Sequence, residues 1–446
     1  MTDKALLDDI TVRAATIRLA AAERVTAAHI EDAARLETYL RSLERIALRA
    51  ATDRQSFSWQ VAAPLRWLER VAGRKKPSPP LSPLSNSADA PRVVFVNGCT
   101  VGESQRYRIR NLISGLRKLG VSSTEVTLGD CRRIIYQGMQ PEVVVFFRAL
   151  NTAEKNYSDV VEQLKSFGTK VVFDIDDYVV NPEILDQIDS YRQLAAEEQK
   201  SYANEILGYL SMMRLCGRAT AATPYLAAAM ESLGVPTHHV TNSFNDEQLA
   251  RAVELSLREK RRDGPFRISY LSGSATHRRD FQECESALLE FLQKHPEVTF
   301  TLVGFLDLGQ EWNRVSSQVK RMPFMGYIQT LDVLNDSDIT IACLEEASEF
   351  CQSKSELKYF ESALVRTPTL ASRTAAYSSA IKNGQNGLLA SSHSEWLSNL
   401  EAVFNSASLG QDLGNQAYAS VIQRYSETYA ARQALSAYGI DIDVAQ

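Results

Sequence analysis

The 446-residue chain reads as an α/β protein with two doubly wound domains facing a cleft, preceded by a helical N-terminal segment. Three observations lead there. Short, continuously apolar runs alternate with amphipathic helical stretches, the pattern of parallel strands covered on both faces. The rhythm begins at Arg92, breaks at the charged connector Arg258-Glu-Lys-Arg-Arg-Asp-Gly264, and restarts at Phe266. The length itself suits two or three units at ~100–200 residues per domain.

Composition narrows the classes further. Hydrophobic residues make up 44% and charged residues 23%, as in ordinary globular chains, which excludes a mainly disordered protein. A net charge of -5 gives no electrostatic case for nucleic acid. No apolar run approaches the ~18 residues of a membrane-spanning helix. Met1-Thr2-Asp3-Lys4 does not open a signal peptide. The six cysteines form no C-x-x-C pair, and neither they nor the histidines show zinc spacing. Reduced structural thiols, a cytoplasmic setting and no metal are expected.

Residues 1–76 are expected to be helical. Leu6 to Ala51 lacks Gly and Pro and is rich in Ala, Leu, Arg and Glu, which suits one or two amphipathic helices or a short coiled coil. From Arg54 to Lys76 six basic residues stand against one acid, Glu69, with Trp59 and Trp67 nearby. That stretch admits two readings: contact with an anionic membrane surface or a helical partner, or a helix packed on the main body with a solvated basic end. Residues 77–90, with Pro77, Pro79, Pro80 and Pro83 among serines, read as a stiff linker.

The first α/β domain is expected over 91–255. Its strands begin with Arg92–Asn97, Glu142–Phe147 and Lys170–Asp174, and continue at Ala219–Ala222 and His238–Thr241. Its helices cover about 104–119, 156–167, 194–215 and 224–233. The second is expected over 256–428, with strands at Phe266–Leu271, Val298–Val303, Ile339–Cys343 and Pro368–Ala371. Helices fall near 281–294 and 355–365, and two fill 394–425. A tail or helix over 429–446 is placed to return to the first domain.

Ligands of parallel sheets bind beyond the carboxyl ends of the strands, so the loops there hold the candidates. After the first strand, Gly98 and Gly102 allow close backbone approach, and Arg106, Tyr107 and Arg108 open the next helix. Phe173 runs into Asp174-Ile-Asp-Asp177, three carboxylates that must be solvated, paired or functional. An Asp-x-Asp metal site is one reading, but the two-domain rhythm argues against it. One of these carboxylates orienting an acceptor hydroxyl is preferred, with capping of the next segment through Asp174 or Asp176 close behind. In the second domain Ser272-Gly273-Ser274 lets backbone amides approach a ligand, and His277, Arg278 and Arg279 supply cationic hydrogen bonds to a diphosphate. Lys354, Lys358 and Glu361 share one helical face, two cations for phosphates and a carboxylate for a ribose diol. The competing reading of Glu361 is an ion pair with Lys358.

Taken together, these residues resemble the GT-B glycosyltransferases of family 4, the glycosyltransferase group 1 enzymes. The carriers are Arg106–Ile109, Phe173–Asp177, Thr241–Phe244, Ser272–Phe281, Cys351–Ala363, Thr367–Ser372 and Gly384-Gln-Asn-Gly387. Ser58–Arg66 is also similar to a segment found beside glycosyltransferase domains of bacterial surface-polysaccharide systems.

The resemblance implies a GT-B fold and a retaining transferase that moves a sugar from a nucleotide-sugar donor to a glycan or lipid-linked glycan acceptor, as in O-antigen or capsule assembly. It implies no cofactor and no metal, and a cytoplasmic enzyme, peripheral at the inner face of the membrane. The donor side would comprise Gly102, Gly273, Ser274, His277, Arg278, Lys354, Ser355, Lys358 and Glu361, with Glu361 as the second glutamate of the family's E-x7-E motif. The first would fall at Ser353, a departure. The acceptor side would comprise Arg106, Tyr107, Arg108 and Asp176, and the catalytic groups Asp176, Asp177 and Arg278. Two other readings remain: another GT-B enzyme such as a nucleotide-sugar epimerase, and a non-catalytic assembly subunit.

Overall fold

Val93–Asn97 is a run of five residues, all buried, and forms the interior strand β1 of a first parallel sheet. Around it lie β2 (Ser123–Thr127), β3 (Val143–Phe147), β4 (Lys170–Ile175), β5 (Ala219–Ala221) and β6 (Thr237–His239), in the order β2-β1-β3-β4-β5-β6. This computed structural model describes residues 91–99, 102–257, 264–273 and 278–441. The expectations for 1–76 and 77–90, and those for Ser274 and His277, lie outside the described residues.

The second sheet comprises β7 (Arg267–Ser272), β8 (Thr299–Gly304), β9 (Val319–Met322), β10 (Ile339–Ala342), β11 (Thr369–Ser372) and β12 (Leu388–Ala390). Its order is β12-β11-β10-β7-β8-β9, again parallel throughout. The α/β architecture of two Rossmann-like domains is therefore the one the sequence predicts.

Strand pleating explains why the apolar runs are continuous. Val94, Val96, Val144 and Phe146 join one core, while Val93, Phe95, Val143 and Val145 join another on the opposite face. Each such fully buried side chain contributes about 1.5–3 kcal/mol. β2 and β9 have no counterpart in the predicted strands because, as edge strands, they bury little and carry polar residues.

The expected helix from 104 begins differently. Arg106–Arg110 forms a π-helical turn that leads into the α-helix Asn111–Lys118. Such turns concentrate at functional sites because the extra residue re-aims the side chains around it.

Two helices cross between the domains. Asp246–Ser256, within the stretch expected to form the first domain, packs on Tyr327–Asn335 of the second. The last helix, Glu427–Tyr438, packs on Asn111–Lys118 of the first. The latter contact needs a glycine at 115, where a Cβ would stand 2.2 Å from the Glu427 carbonyl oxygen. Lys118 joins both crossings, pairing with Asp246 at 2.6 Å and with Glu427 at 2.5 Å. All six cysteines are free thiols, and five of them are buried. Among the described residues no helix is long and apolar enough to cross a membrane.

Candidate active site

Each sheet reverses its strand order once, between β1 and β3 and between β7 and β10. The loops after these four strands diverge and leave a crevice. Between them lies a cavity of about 610 Å³ lined by residues of both domains. Glu103 and Ser104 follow β1, Arg148 follows β3, Gly273 and Arg279 follow β7, and Glu345 follows β10.

The wall of the second domain carries Lys354, Ser355, Lys358 and Glu361. The predicted helix near 355–365 is present as Leu357–Leu364, and a separate short helix, Glu349–Ser353, precedes it with an extended Lys354 between them. The three charged residues nevertheless face one space. Lys354 lies 3.5 Å from Asp280. Burial opposes its charge, but Asp280 with Cys351 and Asp177 outweighs burial and holds its pKa above the ordinary lysine value. Lys358 has no carboxylate partner among the described residues. Its ammonium stands 4.7 Å from the Tyr270 ring centroid, and burial pushes its pKa down.

Glu361 does not pair with Lys358. It accepts hydrogen bonds from the Tyr107 hydroxyl and, at 3.2 Å, from Gln248 Nε2. Burial pushes the Glu361 carboxyl up, opposed by nearby Arg106. Gln248 is in place because it closes the N-terminal cap of its helix with Asn245. Arg106 completes the cluster, donating to Tyr107 Oη at 2.6 Å and to Gln248 Oε1 at 3.2 Å while stacking on the Tyr327 ring.

On the wall of the first domain, Arg148 bonds both candidate carboxylates, Asp176 at 2.5 Å and Asp177. Burial raises the Asp176 carboxyl, but Arg148, with help from Ser104 and Arg108, outweighs it, so the pKa lies below the usual value. Arg148 has a left-handed backbone, φ 42, and its carbonyl comes so close to residue 98 that a Cβ there would be 2.2 Å away. Gly98 is required for that approach rather than for contact with a ligand.

The structure thus brings Arg106, Tyr107, Asp176, Asp177, Gly273, Lys354, Ser355, Lys358 and Glu361 into one cavity. Three of the expected residues are placed elsewhere among the described residues. Arg108 is not on the acceptor surface: its side chain is 0% exposed and pairs bidentately with Asp174 at 3.0 and 2.6 Å. It acts at one remove, donating to Asn242, whose Nδ2 donates to Ser355. Arg278 lies outside the cavity lining and pairs with Glu285 at 2.7 Å; its neighbour Arg279 lines the cavity instead. Gly102 also lies outside the lining, which begins at Glu103. At the departure, Ser353 is fully buried with its hydroxyl donating to the Phe350 carbonyl.

Arg148 and Tyr209 are among the lining residues that sequence reasoning missed, whereas Arg279 is expected there, with Arg278, as a cation for a diphosphate. Arg148 directly follows the apolar run of β3, so the carboxyl-end rule, applied to every strand, would have found it. Arg279 differs from Arg278 by one residue of helical phase, both lying in the first turn of the helix Arg278–Lys294.

Residues 278–436 match a family model described as glycosyl transferase-like. Among solved structures, HepE of Anabaena in complex with UDP is 13% identical, covering 78% of this chain and 99% of that one with a TM-score of 0.53. The sucrose-phosphate synthase of Thermosynechococcus elongatus is 13% identical, covering 79% and 98% with a TM-score of 0.51. An α,α-trehalose-phosphate synthase of Burkholderia vietnamiensis is 9% identical, covering 79% and 97% with a TM-score of 0.54. No curated protein matches by sequence. The chain has a GT-B fold, and within its second domain the match to the glycosyl transferase-like model begins at Arg278.

Proposed function

We propose that this protein is a glycosyltransferase that moves a sugar from a nucleotide-sugar donor on the second domain to a glycan acceptor on the first. The observation that carries the reading is the cleft wall where Lys358, half-buried and without a salt bridge among the described residues, stands with Lys354 and Glu361. Burial and Lys354 oppose the Lys358 charge more than nearby Asp280 supports it, and an anionic diphosphate supplies the further counter-charge. The match over 278–436 and the UDP bound by HepE support the same reading.

The transfer keeps the anomeric configuration, with the leaving diphosphate and the incoming hydroxyl on one face of the sugar. Lys354, Lys358 and Arg279 stabilise the leaving group, so no metal is needed. Asp176 and Asp177, fixed by Arg148, position the acceptor hydroxyl. Closure of the cleft excludes water that would hydrolyse the donor. A lipid-linked acceptor of a bacterial surface glycan, reached at the inner face of the membrane through the basic stretch 54–76, completes the proposal.

The test begins with thermal shifts against UDP-, GDP- and dTDP-sugars. The donor that stabilises the protein is then incubated with saccharide acceptors, with and without EDTA, and the product anomer is read by NMR. Stabilisation by one donor and an EDTA-insensitive product of retained configuration are expected. No stabilisation by any nucleotide sugar would sink the donor assignment.

A further inference from the structure

The first-domain half of the cavity has a wall that the strand-end loops do not supply. The helix Ala196–Cys216 contributes Tyr202, Glu205, Ile206 and Tyr209 to the lining, residues whose spacing puts them on one face. Gly208 lets this helix sit against the loop after β3: a Cβ there would stand 2.9 Å from Thr152 Cγ2 and 3.1 Å from Leu150 Cδ2. Asn151 fixes the contact, its N–H donating to the Gly208 carbonyl at 3.0 Å and its Nδ2 to Ser211 Oγ at 3.1 Å. The wall is therefore held in place, not merely adjacent. Burial pushes the Tyr209 phenol up to about 12, so it stays a hydrogen-bond donor at neutral pH.

The charge balance of this half is distinctive. Arg106 is paired with Glu103, and Arg148 with both Asp176 and Asp177. Glu205 has no cationic partner among the described residues. Asp189 reaches Arg279 only at 3.9 Å, and its Oδ2 is buried with no hydrogen-bond partner. An anionic group here would meet carboxylates with no uncommitted cation, whereas Lys358 across the cavity is uncommitted. A neutral pyranose meets the opposite situation: its C–H face packs on tyrosine rings, and its hydroxyls donate to carboxylates.

We propose that the helical face of Tyr202, Glu205 and Tyr209 binds an uncharged sugar residue of the acceptor and rejects acceptors that carry a phosphate or carboxylate at that position. The proposal rests on reading the cavity as a glycosyltransferase site, and its test separates the two. Saturation-transfer NMR is run on the full chain with uridine, guanosine or thymidine diphosphate present. The saccharide probes are the methyl glycosides of glucose, galactose, mannose and N-acetylglucosamine, with glucuronic acid and glucose 6-phosphate as anionic counterparts.

At least one neutral glycoside should give saturation transfer. Tyr209→Ala and Tyr202→Ala should each weaken that signal about tenfold, with the nucleotide signal unchanged. The anionic sugars should give none, and Glu205→Arg, a change at an exposed helical position, should admit them. Anionic sugars bound as well as neutral ones, neutral binding indifferent to both tyrosine variants, or nucleotide binding without any saccharide signal would each overturn the proposal. Neutral-sugar binding with the expected variant pattern but no nucleotide signal would uphold the wall and overturn the donor reading instead.

Discussion

Asp174 and Asp176 are two residues apart at the end of β4, yet they belong to different regimes. Asp174 is 1% exposed and held by Arg108 and by Thr220 Oγ1 at 2.6 Å, a closed polar network beneath the sheet end. Asp176 and its neighbour Asp177 pair with Arg148, which remains 18% exposed toward the cavity. The chemistry of the two clusters is the same, arginine against aspartate. Only the distance past the last strand pairing differs, and that decides whether the pair holds the protein together or faces a ligand.

Substitutions at four residues probe that contrast, in decreasing order of effect. Arg108→Ala leaves Asp174 buried without its counter-ion and should destabilise the fold by about 3–5 kcal/mol in urea denaturation. A loss under 1 kcal/mol would break the comparison, because the closed cluster would then carry no more weight than an exposed pair. Arg148→Gly removes the cavity arginine while relieving a left-handed backbone, so transfer should fall about a hundredfold with little loss of stability. Equal effects on stability and turnover would place Arg148 in the structural class with Arg108.

Lys358→Ala removes the cation that neither cluster neutralises and should weaken donor binding about tenfold, measured by calorimetry. The pH dependence has a definite sign. Because burial lowers the Lys358 pKa, donor affinity should decline as pH rises through a value below the ordinary lysine range. Lys358→Arg should flatten that decline.

The smallest effect concerns His239, whose pKa is lowered to about 4, first by burial and then by the charge of Arg108. Between pH 6.5 and 4 the unfolded histidine binds a proton that the folded one does not, so stability should drop on acidification through that window. After allowance for partial exposure the drop is about 1–2 kcal/mol. His239→Gln should remove it, seen as a flatter Tm against pH. An unchanged slope would assign the acid sensitivity to other groups.

Much of this arrangement was legible from residue order. The apolar runs of β1, β3 and β4 need no tertiary information, because a strand buried on both faces has no polar position to spare. The joint presence of Lys358 and Glu361 in the cavity follows from helical spacing, whereas Lys354 reaches it from the extended residue that follows the helix Glu349–Ser353. Arg278 against Arg279 was not legible, since a one-residue change of phase turns the side chain by about 100°. Nor was Arg108. The π-helical turn over Arg106–Arg110 sends Arg106 and Tyr107 to the cavity and Arg108 under the sheet, and no local propensity announces that insertion.

The helix Ala196–Cys216 shows the limit from the other side. Its sequence predicts a helix, but which face meets the cavity depends on Gly208 docking against Leu150 and Thr152, residues distant in the chain. The sequence by itself determined two parallel α/β domains, the strand-end loops and the chemical character of the residues there, because periodicity and burial are local properties. Tertiary structure alone decided which of those charges cancel one another and which remain for a ligand. Pairing depends on where chain segments meet in space, as Tyr107 meets Glu361 and Arg148 meets Asp176.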